Sequence, residues 1–292
     1  MLLSDALNRP PKALIPAPSP ATVPEIGARC LRAGVRAPTL GPVLRILDAR
    51  TGEPVAAAPA RRGLTRIEAR AGGLDLTSLR VLLTADVLAR ALELTGAQSW
   101  TTAPRQPAEL RTAANALAVR PFEEAHGPGA GAAQVVRVVA GQDGEDGEAG
   151  GEGPVIAVAP VVWTGPGSGE HSPAASSLLA DPTALRLALL SIPYGRSATL
   201  DEGTMTQAAE RLAGWRRDVA RWARQPSRPV PEAVRARLAE AWDEDLDVPG
   251  VLRVLEAVAA DPGVADGARF ETFAYADRLL ALELARDLGT LA

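Results

Sequence analysis

Residues 180–222 read ADPTALRLALLSIPYGRSATLDEGTMTQAAERLAGWRRDVARW, and the rest of the chain is organised around them. Asp181 offers a carboxylate to unpaired backbone N–H groups, and Pro182 fits the first helical position, where its missing N–H costs nothing. A helix starts here. Leu185, Leu187, Leu189 and Leu190 lie all round it, so it is expected to be covered on more than one side. After a turn at residues 191–196, Thr199-Leu-Asp-Glu202 has capping-box spacing, with the Thr199 hydroxyl as the cap. In the helix that follows, Met205, Ala208, Leu212, Trp215, Val219 and Trp222 recur at three- and four-residue steps and form one apolar stripe. Arg211, Arg216, Arg217, Arg221 and Arg224 fall mostly off that stripe.

Upstream, the pattern changes from helical to alternating. Residues 43–47 and a Thr51-Gly52 turn read as a strand and tight turn, and residues 64–69 as a strand ending at Gly72-Gly73. From Asp75 or Thr77 a helix is expected, with Leu79, Leu82, Leu83, Val87 and Leu94 on one face and Gly96 as its stop. Strand, glycine turn and helix form the first half-unit of a nucleotide-binding α/β fold. A strand at 97–102 and a helix at 107–119 follow, and QVVRVVA (134–140) and PVIAVAPVVW (154–163) read as strands buried on both faces of a sheet. The Gly- and acid-rich residues 141–153 between them are expected to be a disordered loop. After a Pro-rich linker at 225–231, three helices are expected at 231–242, 249–259 and 268–288, with Asp247 capping the second. The fold class is therefore α/β, a Rossmann-like parallel core followed by a helical bundle. The expected division is a proline-rich arm at 1–40, a core at 41–196 and a helical domain at 197–292, with only helices after the core.

A chain of 292 residues with 47 % hydrophobic content can bury a sizeable core. No apolar run is long enough for a membrane span, and the N-terminus has no signal-like pattern, so a cytoplasmic protein with no membrane partner is expected. The single cysteine, Cys30, forms no internal disulfide and reads as a structural thiol. A net charge of −4 gives no global basic field, so contact with nucleic acid requires a local patch. The candidate is the second helix of the opening stretch. Arg216, Arg217, Arg221 and Arg224 are its possible RNA-facing residues, against the plain alternative of a solvated helix back. Trp215 and Trp222 sit on the apolar stripe and read as core rather than stacking platforms. Glu123, Glu124 and His126 lie close in sequence, but a metal site needs three or four convergent ligands and His171 is the only other imidazole. A solvated loop edge is therefore expected, with no metal.

The run Asp181-Pro-Thr-Ala-Leu-Arg-Leu-Ala-Leu-Leu190, then Tyr194-Gly-Arg196, then Glu210-Arg-Leu-Ala-Gly-Trp215 resembles the segment after the KMSKS loop of cysteinyl-tRNA synthetases. It is closer still to the related cysteine ligases of mycothiol biosynthesis. Asp243-Glu-Asp-Leu-Asp-Val-Pro-Gly250 resembles the acidic turn that opens a helix in the same families, in the same order along the chain. The resemblance implies a class I synthetase core, ATP and cysteine as substrates, a HIGH signature at a helix start, a mobile KMSKS loop and zinc held near the cysteine. Here HIGH aligns with Asp75-Leu-Thr-Ser78, and residues 163–177 stand where the KMSKS loop belongs, without a lysine. Asp75, Thr77 and Ser78 are thus a vestigial nucleotide corner, in which the hydroxyls and helix N-terminus hold a weak anion or simply cap the helix. The zinc ligands have no counterparts, and the only lysine of the chain is Lys12. No catalytic residue and no cofactor are therefore assigned. The leading expectation is a non-catalytic binding or regulatory relative, with an unidentified protein or small-molecule ligand and tRNA as a lesser candidate. The alternative is a working ligase that activates cysteine or another amino acid for transfer to tRNA or glucosaminyl-inositol.

Overall fold

A computed structural model of the chain describes residues 43–59, 63–124, 134–141, 152–165 and 178–289. The proline-rich arm, Cys30, His126, His171 and most of the 141–153 and 163–177 loops lie outside the described residues.

The described chain begins with an antiparallel hairpin, β1 (Arg45–Asp48) and β2 (Glu53–Ala56), closed by a turn in which Gly52 takes φ 72°, a region that favours glycine. Next come β3 (Leu64–Arg70), helix α1 (Leu76–Leu94), β4 (Gln98–Ala103), α2 (Ala108–Ala116), β5 (Glu123–Glu124), β6 (Gln134–Ala140) and β7 (Val155–Val158). These last five strands form one sheet in the order β5-β4-β3-β6-β7, with every neighbouring pair parallel. The chain starts in the middle, winds to one edge and returns to build the other. This is the doubly wound arrangement expected for a Rossmann-like core.

Alternation of side chains builds the layers. Ile67 and Ala69 of β3, Val136 and Val138 of β6, and Ile156 and Val158 of β7 are all buried in the core that α1 packs against. On the opposite face, buried charges replace the apolar packing expected for strands covered on both sides. Glu68 is the register partner of Arg137 and pairs with it at 3.4 Å and with Arg66 at 2.5 Å. Val139 and Val155 make a small apolar cluster of their own.

The apolar run at 154–163 is divided rather than continuous. Strand β8 (Val161–Trp163) leaves the sheet after Pro160 and pairs in parallel with β9 (Ala198–Leu200). Helices follow: α3 (Pro182–Leu190) before β9, then α4 (Glu202–Trp222), α5 (Glu232–Asp243), α6 (Val248–Ala260) and α7 (Asp266–Leu280). The expectation of helices alone past residue 196 therefore needs correction at two places. One is β9. The other is a parallel bridge between Arg45 and Glu244, held by Asp245 N–H donating to the Arg45 carbonyl at 2.9 Å and Leu47 N–H donating to the Asp245 carboxylate at 2.8 Å.

The caps are partly as expected. Asp181 accepts from Ala184 N–H at 3.0 Å, and Asp247 accepts from Gly250 N–H at 2.9 Å. The cap of α4 is Asp201 and not Thr199. Asp201 accepts from Thr204 N–H at 2.7 Å while the Thr204 hydroxyl accepts from Asp201 N–H at 2.8 Å, and Thr199 is held in β9. The last helix stops at Leu280, short of the expected residue 288, because Ala281 turns left-handed and the Asp277 carboxylate accepts from the N–H groups of Leu282 and Leu284. Every residue of α3 from Ala184 to Leu190 is buried, as its all-round leucines require. Trp215 and Trp222 meet Phe273 of α7 edge-on, with ring centroids 5.8 and 5.1 Å apart, so both are core. One buried apolar cluster runs from Leu44 to Leu284.

Candidate functional site

In a doubly wound sheet the strand order reverses between the first strand and the one that starts the second half, and ligands bind at the carboxyl ends there. In this chain that point lies between β3 and β6. A cleft of about 330 Å³ opens at it, lined by Arg70 at the end of β3, by Asp75, Thr77 and Ser78 at the start of α1, and by Gly141 just after β6. The three residues of the vestigial corner are therefore together in one cleft.

Their hydrogen bonds decide what the corner is able to hold. Asp75 accepts from Ser78 N–H at 2.8 Å through one oxygen and from the Ser78 hydroxyl at 2.7 Å through the other. The Thr77 hydroxyl accepts from Val161 N–H at 3.0 Å, tying the helix start to β8. A helix N-terminus attracts anions through free N–H groups and its partial positive charge. Here a carboxylate of the chain itself fills that place, and both neighbouring hydroxyls are engaged. Of the described residues lining the cleft, Arg70 is the single cation.

The candidate RNA-facing arginines do not form one set. Arg217, Arg221 and Arg224 are exposed on the α4 side of the molecule. Arg216 is not: it is buried and donates to the carbonyls of Leu282 at 2.8 Å and Glu283 at 3.1 Å, so its role is to fasten the chain after α7. Arg221 pairs with Asp218 at 2.7 Å. Glu123 and Glu124 form the exposed edge strand, and the described residues contain no group of three potential metal ligands.

Sequence reading missed three buried charged centres. Arg80 of α1 donates to four carbonyls, those of Ala159, Ile192, Pro193 and Arg196, at 2.7–3.1 Å, and burial lowers its pKa to about 10. Asp86 of α1 lies among Arg186 at 3.1 Å, Arg90 at 2.8 Å and Arg120 at 3.1 Å. Burial pushes the Asp86 carboxyl up, but Arg186 and Arg90 outweigh it and hold the group below the usual carboxylate range. Arg186 also donates to Leu280 and Leu117 carbonyls, and burial lowers its pKa to about 10. The third centre is Asp243 at the end of α5, a buried carboxylate whose two oxygens have no hydrogen-bond partner among the described residues. An Arg or Asp on an apolar face was the available signal for the first two. Nothing local marks Asp243.

No family model matches the chain. It is similar to curated proteins named L-cysteine:1D-myo-inositol 2-amino-2-deoxy-alpha-D-glucopyranoside ligase. With that of Catenulispora acidiphila it is 42 % identical over 87 residues, 30 % of this chain and 19 % of that protein. With that of Thermobispora bispora it is 43 % identical over 84 residues, 29 % of this chain and 20 % of that protein. With that of Streptomyces griseus it is 37 % identical over 108 residues, 36 % of this chain and 25 % of that protein. The chain shares ancestry with these ligases, and the match spans only about a fifth to a quarter of their length.

Proposed function

We propose that this chain is a non-catalytic relative of the cysteine ligases, one that keeps a synthetase-like scaffold as a binding or regulatory module. The observation that carries the reading is the Asp75 carboxylate, which caps α1 inside the switch-point cleft through both Ser78 donors. Adenylate formation requires positive donors aimed at oxygens where charge builds up, and removing one such donor costs about 3 to 4 kcal/mol of transition-state stabilisation. A fixed carboxylate at that place acts in the opposite sense. The cleft is of a size for a small ligand, and Arg70 and Gly141 leave it polar at the strand ends.

A second reading is a ligase that activates cysteine or another amino acid with ATP for transfer to tRNA or glucosaminyl-inositol, and it is favoured by the relatives' name, which makes them ligases of L-cysteine and an amino sugar. Cysteine-dependent exchange of pyrophosphate into ATP separates the two, run alone, with tRNA and with glucosaminyl-inositol. Background exchange in every mixture is expected, and clear exchange in any of them establishes the ligase. Thermal shift with ATP, cysteine and a cysteinyl-adenylate analogue then shows whether the cleft still binds part of the old substrate set, because a ligand selective for the folded state raises its stability.

A further inference from the structure

Residues 243–247, DEDLD, close α5 and lead into α6, and they fasten the helices to the first hairpin. Asp245 N–H donates to the Arg45 carbonyl at 2.9 Å. One Asp245 carboxylate oxygen accepts both from Leu47 N–H, at 2.8 Å, and from the Tyr194 hydroxyl. The turn therefore holds β1 and the 192–196 turn at once. Its backbone resists this arrangement, because Asp245 and Leu246 stand at φ 53° and 52°, in the left-handed region that residues with a Cβ enter only at a cost. The contacts keep the turn shut against that strain.

Asp243 directly precedes these contacts. It is 6 % exposed, and both its oxygens are shut off from solvent without a hydrogen-bond partner among the described residues. Such a carboxyl is tolerated as the neutral acid and opposed as the anion, and burial raises its pKa to about 6. The charged groups around the end of α5 do not relieve it. Arg235 and Glu240 belong to α5 itself, and Arg235 lies 3.8 Å from Glu232 and over the Tyr275 ring of α7 at 5.5 Å. Arg253 of α6 is taken by Asp247 at 2.9 Å. Arg45 of β1 and Glu244 face the same side of the helix end, and neither bonds to Asp243. Once ionised, the group gains water only by leaving its place. Because Asp243 is the last residue of α5, that movement passes straight to Glu244 and Asp245. A cavity of about 550 Å³ between the start of β1 and α5, bordered by Arg45, Asp243 and Glu244, leaves room for it.

We propose that the 243–247 turn is a pH-operated clasp, shut on β1 and the 192–196 turn while Asp243 is protonated and released when Asp243 ionises. The sign follows from a folded-state affinity for the proton above that of the unfolded chain: acid favours the shut turn, and the preference is lost as pH rises through about 6. The Tyr194 phenol is pushed up by burial and by the Asp245 charge, so it keeps its proton and its bond to Asp245 throughout that range. The device is independent of the switch-point cleft and of the ligase question.

The test is amide hydrogen exchange on the full chain at pH 5 and pH 8, with rates corrected for the pH dependence of chemical exchange. Protection of the Leu47 and Asp245 amides is expected to fall by at least about tenfold at pH 8, and α1 in the core keeps its protection. Asp243→Asn stays neutral at both pH values and removes a charge the fold does not pair, so it folds, and its protection is expected to be flat. Tyr194→Phe removes one bond of the clasp and is expected to lower protection at both pH values while keeping the pH dependence. Flat protection in the parent chain, an equal fall in Asp243→Asn, or no effect of Tyr194→Phe overturns the proposal. So does an equal fall in α1, which would mean that the whole molecule loosens rather than the turn.

Discussion

Asp243 shows how much one residue contributes beyond its local pattern. It closes α5 after an ordinary helical stripe, yet burial without a partner raises its pKa from 3.8 to about 6. The folded state therefore holds a proton more tightly than the unfolded chain. The sign follows directly: this carboxyl favours the folded state most below about pH 4, and the contribution is lost as pH rises through about 6. Above that pH the ionised group costs about 2 to 3 kcal/mol, the free-energy equivalent of a roughly hundredfold difference in proton affinity between the folded and unfolded chain. Asp243→Asn, measured by urea denaturation, is expected to be more stable than the parent chain at pH 8 and to differ little at pH 4. Equal stability differences at the two pH values would remove the buried-charge account.

Among the elements, α4 was the most legible and also the most misleading. Its stripe of Met205, Ala208, Leu212, Trp215, Val219 and Trp222 repeats within single turns, so the sequence carries it locally, and the structure buries Leu212, Trp215, Val219 and Trp222 accordingly. The fate of Arg216 depends instead on Leu282 and Glu283, 66 and 67 residues away, and no periodicity predicts acceptors at that distance. The same holds for Arg80 and Arg186, whose carbonyl and carboxylate partners come from other parts of the fold. The Asp181 and Asp247 caps needed only their next three residues and were readable, whereas the α4 cap moved two residues because β8 claims Thr199 for pairing. The switch-point corner was readable as a place, through the strand, glycine turn and helix, but its closure by Asp75 and Ser78 is a matter of side-chain geometry. Arg216 and Arg217 give a direct comparison of adjacent residues. Arg216→Ala leaves the buried Leu282 carbonyl without its donor and is expected to cost about 2 to 3 kcal/mol, while Arg217→Ala on the exposed side stays within about 0.5 kcal/mol. Similar losses in both variants, read from denaturant midpoints, would contradict the inward role of Arg216.

For the whole molecule, the parallel sheet and the C-terminal helices share one buried apolar cluster, and charged residues bind them where the apolar packing is interrupted. Arg80 reaches from α1 to the 192–196 turn, and Asp86 of α1 holds Arg186 of α3, which in turn donates to the last carbonyl of α7. A charge pair this deeply buried is weak evidence of net stabilisation, but breaking it by removing one partner leaves an uncompensated charge at a cost of about 3 to 5 kcal/mol. Because these links cross from the sheet to the helices, the loss is felt by both at once. The tryptophans allow this to be checked: Trp215, Trp222 and Trp242 are buried among the helices while Trp100 and Trp163 stand in β4 and β8, so fluorescence weights the helical region, and far-UV circular dichroism reports on all elements. The full chain is expected to unfold in one transition, with fluorescence and dichroism giving coincident urea curves, as a two-state unit requires. Asp86→Ala is expected to move both curves to lower urea together, by the amount a loss of about 3 to 5 kcal/mol implies, without separating them. If the two curves separated, with the fluorescence moving less than the dichroism, the helices would be folding on their own, and the links through Arg80, Asp86 and Arg186 would not be what couples them to the sheet.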